Sequence, residues 1–442
     1  MTAQDFFRVI PGQPLRGVTT VPGDKSISHR SVLFGALAQG TTHIRGWLPA
    51  GDTEASLGAV RALGVPVERH SPTELTLRGG SLKQPTENLD LVNAGTGIRL
   101  LTGIMVGQPF PSVLDGSAQL RRRPMNRIIT PLTQMGSNIR GTDGKVPLYV
   151  EPAALRGIHY DMPVASAQVK SAILLAALFA NSPTTVTQPG PARDHTERML
   201  AAMGVNIVTD GNAVTVTPGA LLAAQDFTVP GDASSAAFMV VAALLVPGSD
   251  VTVENVNLND TRTGIFDVLR EMGADITITE TGLAAGEPVG SIRARYSALK
   301  AVEVGGEVVV RMIDEFPIFM VAALAAEGRT VVRDAQELRV KETDRIAVMS
   351  RELHKLGARI TETEDGFIVD GSQTLTGATA DGNDDHRIAM SLAVAGLVAA
   401  GQTQVMDAKC SADSFPGYAE TLHAVGADVA RLDNPAAPVC ES

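Results

Sequence analysis

Several short stretches of this 442-residue chain set cations, hydroxyls and small residues just ahead of long apolar segments. Gly23-Asp-Lys-Ser-Ile-Ser-His-Arg30 offers Lys25, Ser26 and Arg30. A helix N-terminus presents unpaired N–H groups and the positive end of its dipole, so added cations and hydroxyls there make an anion site. With a helix starting near Ser26, Ser26 and Arg30 lie one turn apart on a shared face. In Asn93-Ala-Gly-Thr-Gly-Ile-Arg99, Gly95 lets a ligand approach the backbone closely, and Thr96 is placed to cap a helix carrying Arg99 in its first turn. Leu120-Arg-Arg-Arg-Pro124 precedes a helix expected to have Pro124 at its first position. Arg123, next to that start, is the guanidinium placed for bidentate anion binding, whereas the run as a whole reads as a solvated face. Ser166-Ala167-Gln168-Val-Lys170 opens a very apolar helix with hydroxyl, amide and amine, and Arg193-Asp-His-Thr opens the next, with Asp194 as a possible cap.

The second half of the chain changes character. Asp314-Glu-Phe-Pro leads an apolar segment with two carboxylates, while Lys341-Glu-Thr-Asp-Arg345 and Asp385-His-Arg387 mix charges. Taken singly, Asp314 reads as a cap and Lys341 to Arg345 as a surface ion-pair ladder. Taken together, one half of the chain is rich in phosphate-binding cations and the other supplies acids and bases. A duplication sharpens the point. Thr20-Val-Pro-Gly-Asp-Lys-Ser recurs as Thr228-Val-Pro-Gly-Asp-Ala-Ser, without the lysine and without an arginine to follow. A purely structural need would keep both copies alike, so the cationic copy marks a site.

Other chemistries lack their residues. The eight histidines show no H-E-x-x-H spacing, the cysteines no C-x-x-C, and the chain has no Walker loop and no G-x-S-x-G elbow. Metal and nucleotide cofactors are therefore not implied. A net charge of −11 weighs against a nucleic-acid partner without excluding a local cationic pocket. The apolar runs Ala172 to Ala180 and Ala236 to Pro247 are shorter than the roughly 20 residues a membrane-spanning helix needs. Met1 to Ile10 lacks a signal-peptide pattern. Cys410 and Cys440 make no disulfide framework, Cys440 falling in a terminal tail, so a reducing, cytoplasmic setting is expected.

These residues need elements to position them, and the chain shows a sixfold repeat. A Leu/Met/Val-Gly-small phrase places glycines at 64, 136, 204, 273, 357 and 426, between 68 and 84 residues apart. Each ends an amphipathic stretch, such as Glu54 to Leu63 or Arg262 to Met272, where a helix cap favours a left-handed residue, and an alternating strand follows. A second helix series interleaves at Ser26–Ala38, Thr96–Met105, Ala167–Ala180, Ser234–Leu245, Glu315–Ala326 and His386–Ala399. These are apolar after their first turn and so expected to be buried on most sides. Each unit reads as strand, helix, strand, helix, strand. The Pro-Gly duplicates then mark two crossings between domains: 23–230, and 1–22 with 231–442, with hinges near 20–24 and 228–232.

With these motifs in hand, the chain resembles the 3-phosphoshikimate 1-carboxyvinyltransferase (5-enolpyruvylshikimate-3-phosphate synthase) family of enolpyruvyl transferases almost end to end. The likeness rests on Pro22 to Arg30, Asn93 to Gly97, Arg123-Pro-Met125, Ser166-Ala-Gln168, Arg193 to Glu197, Asp314 to Pro317, Arg339 to Arg345, Asp385-His-Arg387 and Ser414-Phe-Pro416. It implies an α/β fold, a two-domain inside-out α/β barrel with three βαβαββ repeats and buried parallel helices per domain, closing on substrate. It implies transfer of the enolpyruvyl group of phosphoenolpyruvate to the 5-hydroxyl of shikimate 3-phosphate by a cofactor-free monomer. Shikimate 3-phosphate falls to Lys25, Ser26, Arg30, Ser166, Ala167, Gln168, Arg193, Asp314 and Lys341, and phosphoenolpyruvate to Lys25, Gly95, Arg123, Gln168, Arg345 and Arg387. Asp314 resembles the base at the 5-hydroxyl, with Glu342 and Lys25 moving protons at the methylene.

The sequence also departs from the family. Ala412 stands where many members have a lysine before the final Phe-Pro, with Lys409 displaced nearby. Ser166-Ala-Gln and Thr96-Gly97 resemble a glyphosate-insensitive subgroup, but that subgroup has alanine where this chain has Gly95, so glyphosate is expected to fit. The sister enzyme acting on UDP-N-acetylglucosamine uses a loop cysteine that neither Cys410 nor Cys440 supplies. A catalytically silent phosphometabolite binder and an RNA-end-processing enzyme on related repeats are disfavoured, the first by the retained carboxylates, the second by the acidic balance.

Overall fold

The repeat unit folds as strand, helix, strand, helix, strand, strand, and one copy illustrates all six. Leu89–Asp90 leads to the helix Gly95–Met105, then Ser112–Asp115, the helix Asn126–Gln134, and the strands Asn138–Thr142 and Lys145–Glu151. Its first two strands pair parallel across the buried helix, and the others join antiparallel. In the computed structural model, which describes residues 5–433, six such four-stranded sheets form. Cys440 lies outside the described residues.

All six repeat glycines adopt the left-handed conformation, with φ between 81° and 104°, as a helix C-terminal cap requires. The longest interval, from Gly273 to Gly357, accommodates the long strands Asp275–Ala284 and Glu287–Arg295 and an extra short helix, Glu307–Arg311.

Two compact units result: one comprises Gly23–Pro230 with Leu283–Pro288, the other Met1–Pro22, Gly231–Gly282 and Val289–Ser442. In the first, the repeat built on the helix Lys25–Leu37 takes its leading strand from the far end of the stretch, Phe227–Thr228, which pairs parallel with Gly40–Arg45. In the second, Arg16–Thr20 performs this service for Asp250–Asn257, and Asp5–Ile10 completes the sheet of Thr403–Met406 and Asp428–Asp433. The Pro-Gly crossings are where the chain makes these exchanges. Asp24 N donates to Pro230 O at 2.8 Å, and Asp232 N to Pro22 O at 2.9 Å.

Each unit has its own apolar core around three central helices. In the first these are Lys25–Leu37, Gly95–Met105 and Ala167–Ala177; in the second, Ala233–Leu245, Phe316–Ala325 and His386–Leu397. In the second unit all three pack together; in the first, Gly95–Met105 packs on both of the others, which Arg30 joins through Ser171 Oγ, and small side chains permit the close packing. A Cβ on Gly103 would overlap the carbonyl oxygen of Ala172, so glycine sets the spacing of two helices there. Four of the six begin with a side-chain cap, Asp24, Ser166, Asp232 or Asp385, which accounts for their sharp starts. Thr96, expected to cap, instead lies inside a helix whose N-cap is Ala94. The helix expected from Pro124 begins at Asn126, because Arg123 N closes a tight turn on Leu120 O and Met125 N bonds Gly144 O. Among the described residues, no helix is long and apolar enough to cross a membrane.

Candidate active site

In the first unit the predicted residues gather at the helix starts. Asp24 accepts from Ile27 N at 3.0 Å, which places Lys25 at the first helical position, and Lys25 Nζ lies 3.1 Å from Asp52. Ser26 follows, nearly buried at 9 % exposure. Arg30 goes deeper. Its Nε donates to Thr196 Oγ1 at 2.8 Å, Nη1 to Ser26 O at 2.9 Å and Nη2 to Ser171 Oγ at 2.9 Å. Burial lowers its pKa to about 10 against the opposing pull of Glu197 and Asp24. Arg30 therefore ties the start of one central helix to another and to the helix His195–Ala202.

Gln168 sits in the first turn of the third central helix and reaches the second. Its Nε2 donates to Thr96 Oγ1 at 2.8 Å, and its Oε1 accepts from Arg99 Nη1 at 2.5 Å. Arg99 also donates to Gly95 O at 3.3 Å and Pro124 O at 3.2 Å, linking the Gly95 turn to the segment that carries Arg123. Arg123 is buried, whereas Arg121 and Arg122 are exposed and Arg121 pairs with Asp115. A Cβ on Gly95 would overlap Arg123 Nη1 and come within 2.8 Å of its Cζ, so the glycine gives this guanidinium its place. Ser166 caps its helix by accepting from Val169 N at 3.4 Å, and Ala167 opens that helix.

Arg193 lies between anchored neighbours. Lys170 Nζ, 1 % exposed, donates to Ala192 O at 3.2 Å and pairs with Glu197 at 2.5 Å. Asp194 stands at the N-cap position of its helix, as expected, but its carboxylate accepts from Arg198 Nε at 2.8 Å instead of making a side-chain cap bond. Asp194, His195 and Glu287 bring possible metal-ligating atoms within 4.8 Å of one another. However, His195 Nδ1 already meets Glu287 Oε1 at 2.7 Å, and Arg198 Nε lies 3.9 Å from the other Glu287 oxygen. A guanidinium in place beside both carboxylates marks an ion-pair cluster that anchors the start of this helix.

In the second unit the charged residues converge on one carboxylate. Asp314 does not cap the helix Phe316–Ala325, whose N-cap is Glu315. It lies 3.5 Å from Lys341 Nζ, 3.4 Å from Arg345 Nη1 and 4.0 Å from Arg387 Nη2. Arg345 is the hub and no surface ladder. Only 2 % exposed, it also pairs with Glu342 at 2.7 Å and with Asp385 at 2.9 Å. Burial alone would lower its pKa, but Asp385, Glu342 and Asp314 together hold it above the ordinary arginine range. Asp385 accepts from Arg387 N at 3.0 Å and from Thr343 Oγ1 at 3.1 Å, so one carboxylate caps a helix and orients a guanidinium. Behind Asp314, buried Glu315 accepts from Ser234 Oγ, and Arg262 Nη2 donates to both Ser234 Oγ at 2.9 Å and Asp232 at 2.7 Å. Lys409 is exposed on the short helix Ala408–Asp413.

Sequence reasoning missed Arg99 as the partner of Gln168, Asp52 as the partner of Lys25, and Asp385 as the orienter of Arg345. The position of Arg99 in a first turn was the one available signal.

The geometry has close counterparts. Residues 9–422 match the family model of EPSP synthase (3-phosphoshikimate 1-carboxyvinyltransferase). A 3-phosphoshikimate 1-carboxyvinyltransferase of Geobacter sp. (strain M21) is 51% identical over 424 residues, covering 95% of this chain and 99% of the relative. That of Brevibacillus brevis is 47% identical over 422 residues, covering 94% and 99%. The solved EPSP synthase of Acinetobacter baumannii superposes with a TM-score of 0.86 at 44% identity, covering 97% of this chain and all of that one. The enolpyruvyl transferase NikO of Streptomyces tendae, 18% identical with a TM-score of 0.79 and covering 98% of this chain and all of that one, shares the fold. With identity near one half over almost the whole length, and with the helix starts carrying this set of cations and carboxylates, the chain belongs to the EPSP synthase (3-phosphoshikimate 1-carboxyvinyltransferase) family.

Proposed function

We propose that this protein joins phosphoenolpyruvate to shikimate 3-phosphate, releasing phosphate, in the biosynthesis of chorismate and the aromatic amino acids. The observation that carries the mechanism is Asp314, a carboxylate with three cationic side chains within 4.0 Å and a second carboxylate, Glu342, on the shared Arg345. Substrate phosphates and carboxylate compete for these cations, and their arrival leaves Asp314 able to accept the 5-hydroxyl proton. The hydroxyl oxygen then bonds to the central carbon of phosphoenolpyruvate while the methylene carbon gains a proton. In the tetrahedral adduct, a methyl proton leaves, the double bond re-forms and the C–O bond to phosphate breaks. Glu342 and Lys25 serve the two proton moves at that carbon.

Lys25, Ser26, Arg30, Ser166, Ala167, Gln168, Arg193 and Lys341 hold shikimate 3-phosphate in this reading. Lys25, Gly95, Arg123, Gln168, Arg345 and Arg387 hold phosphoenolpyruvate, and glyphosate takes its place. The deep engagement of Arg30 makes its part that of a fixed charge and helix tie. The crossings at 20–24 and 228–232 act as the hinge between domains 23–230 and 1–22 with 231–442, and the protein works as a cytoplasmic monomer. Turnover in deuterium oxide tests the chemistry: the product vinyl carbon acquires deuterium if addition and elimination pass through a methyl group. Product free of deuterium after many turnovers refutes that route.

A further inference from the structure

The sixfold repeat provides an internal comparison of equivalent positions. Five residues before the repeat glycine stand Ala59, Pro131, Met199, Val268 and Thr421, four of them buried and none charged. In the remaining repeat the position is Glu352, 1 % exposed. A carboxylate put where the fold otherwise accepts small or apolar groups costs stability unless it is paired and hydrogen-bonded.

Those bonds lead to one turn. Glu352 Oε2 accepts from Asp381 N at 2.9 Å and from Lys355 Nζ at 2.5 Å, and Oε1 accepts from Arg351 Nε at 2.9 Å. Arg351 Nη2 continues to Asn383 Oδ1 at 2.8 Å. The turn thus gripped contains two successive left-handed residues, Asn383 at φ 55° and Asp384 at φ 56°. Asn and Asp tolerate this conformation best among residues with a side chain, yet it persists only where surroundings over-determine it. Asn383 N bonds Asp381 Oδ1 at 2.7 Å and Asp384 N bonds Asp407 Oδ2 at 2.6 Å, completing the restraint. The next residue is Asp385, which orients Arg345 and caps the helix of Arg387. Glu352 lies on the helix Arg345–Lys355, so that helix carries a guanidinium at one end and, two turns on, the group that fixes its counter-ion.

We propose that Glu352 is a positioning residue for phosphoenolpyruvate: through the 381–384 turn it sets Asp385, and through Asp385 the directions of Arg345 and Arg387. The proposal rests on the reading that these two arginines hold phosphoenolpyruvate. The test compares Glu352→Ala and Glu352→Gln with Val268→Ala, the equivalent position in a neighbouring repeat of the same unit. Glu352→Ala raises KM for phosphoenolpyruvate by about tenfold or more, a change worth ~1.4 kcal/mol, while KM for shikimate 3-phosphate stays within about twofold. Glu352→Gln, which keeps an acceptor for Asp381 N, falls between Glu352→Ala and wild type. Val268→Ala lowers stability without moving either KM. Amide hydrogen exchange over Asp381–Arg387 rises in Glu352→Ala and not in Val268→Ala. Equal changes in both KM values, or exchange unchanged in Glu352→Ala, overturns the proposal. Should wild type show no transfer from phosphoenolpyruvate, the functional reading fails, and the exchange comparison alone still decides whether Glu352 fixes the turn.

Discussion

His29 and Gly95 show how single residues hold the helix starts in order. His29 is wholly buried with Nδ1 2.8 Å from Ser56 Oγ, and burial lowers its pKa from 6.5 to about 3. The unfolded chain therefore takes up a proton below about pH 6.5 that the folded chain refuses until about pH 3. Stability of the first unit accordingly falls as pH drops through that window, by up to about 1.4 kcal/mol per pH unit from this group. His29→Gln removes that contribution, and urea unfolding at pH 7, 6 and 5 should show a shallower loss than wild type; an unchanged slope contradicts the assignment. Gly95 governs a different property. Its missing Cβ leaves room for the Arg123 guanidinium, the mobile end of a side chain, so Gly95→Ala should fold while displacing that cation. Inhibition assays should find glyphosate weaker on Gly95→Ala by about tenfold or more, ~1.4 kcal/mol, with a raised KM for phosphoenolpyruvate. Inhibition no better for wild type than for the variant refutes the assigned role.

At the scale of elements, the site depends on how closely the central helices approach. Gly103 lets the helix Gly95–Met105 pass against the backbone of Ala167–Ala177, and the contacts of Gln168 with Thr96 and Arg99 need that spacing. Gly103→Ala should cost about 1–3 kcal/mol, as overpacked cores do, and should also lower kcat/KM; calorimetry and kinetics on the same preparation test both. Full stability in Gly103→Ala contradicts the close packing. The starts of these helices are legible in the sequence to within a residue, because apolar runs and capping residues are local signals. Their ends are less so: the third stops at Ala177 rather than Ala180, since no glycine punctuates it. Contacts between elements are not local. Arg99 and Gln168 are 69 residues apart and His195 and Glu287 are 92 apart, and no periodicity joins them. Thr96 misleads as a cap because its hydroxyl serves Gln168 instead.

For the whole molecule, the sixfold period and the Pro-Gly duplication together made the architecture readable before any contact was known. The glycine spacing counted the repeats, and the two Thr-Val-Pro-Gly-Asp copies marked where the chain passes from one unit to the other. The N-terminal strand Arg16–Thr20 lies with 231–442 as the duplication implies, but the exchange by which Phe227–Thr228 completes the sheet of Gly40–Arg45 lay beyond such counting because a two-residue strand carries no pattern. The acceptor is the claim that most needs a direct measurement. Phosphate release from phosphoenolpyruvate, followed with shikimate 3-phosphate or with UDP-N-acetylglucosamine as acceptor, provides it. Release with shikimate 3-phosphate alone, lost in Asp314→Ala, is the predicted result; release only with the sugar nucleotide, or with neither, contradicts the account.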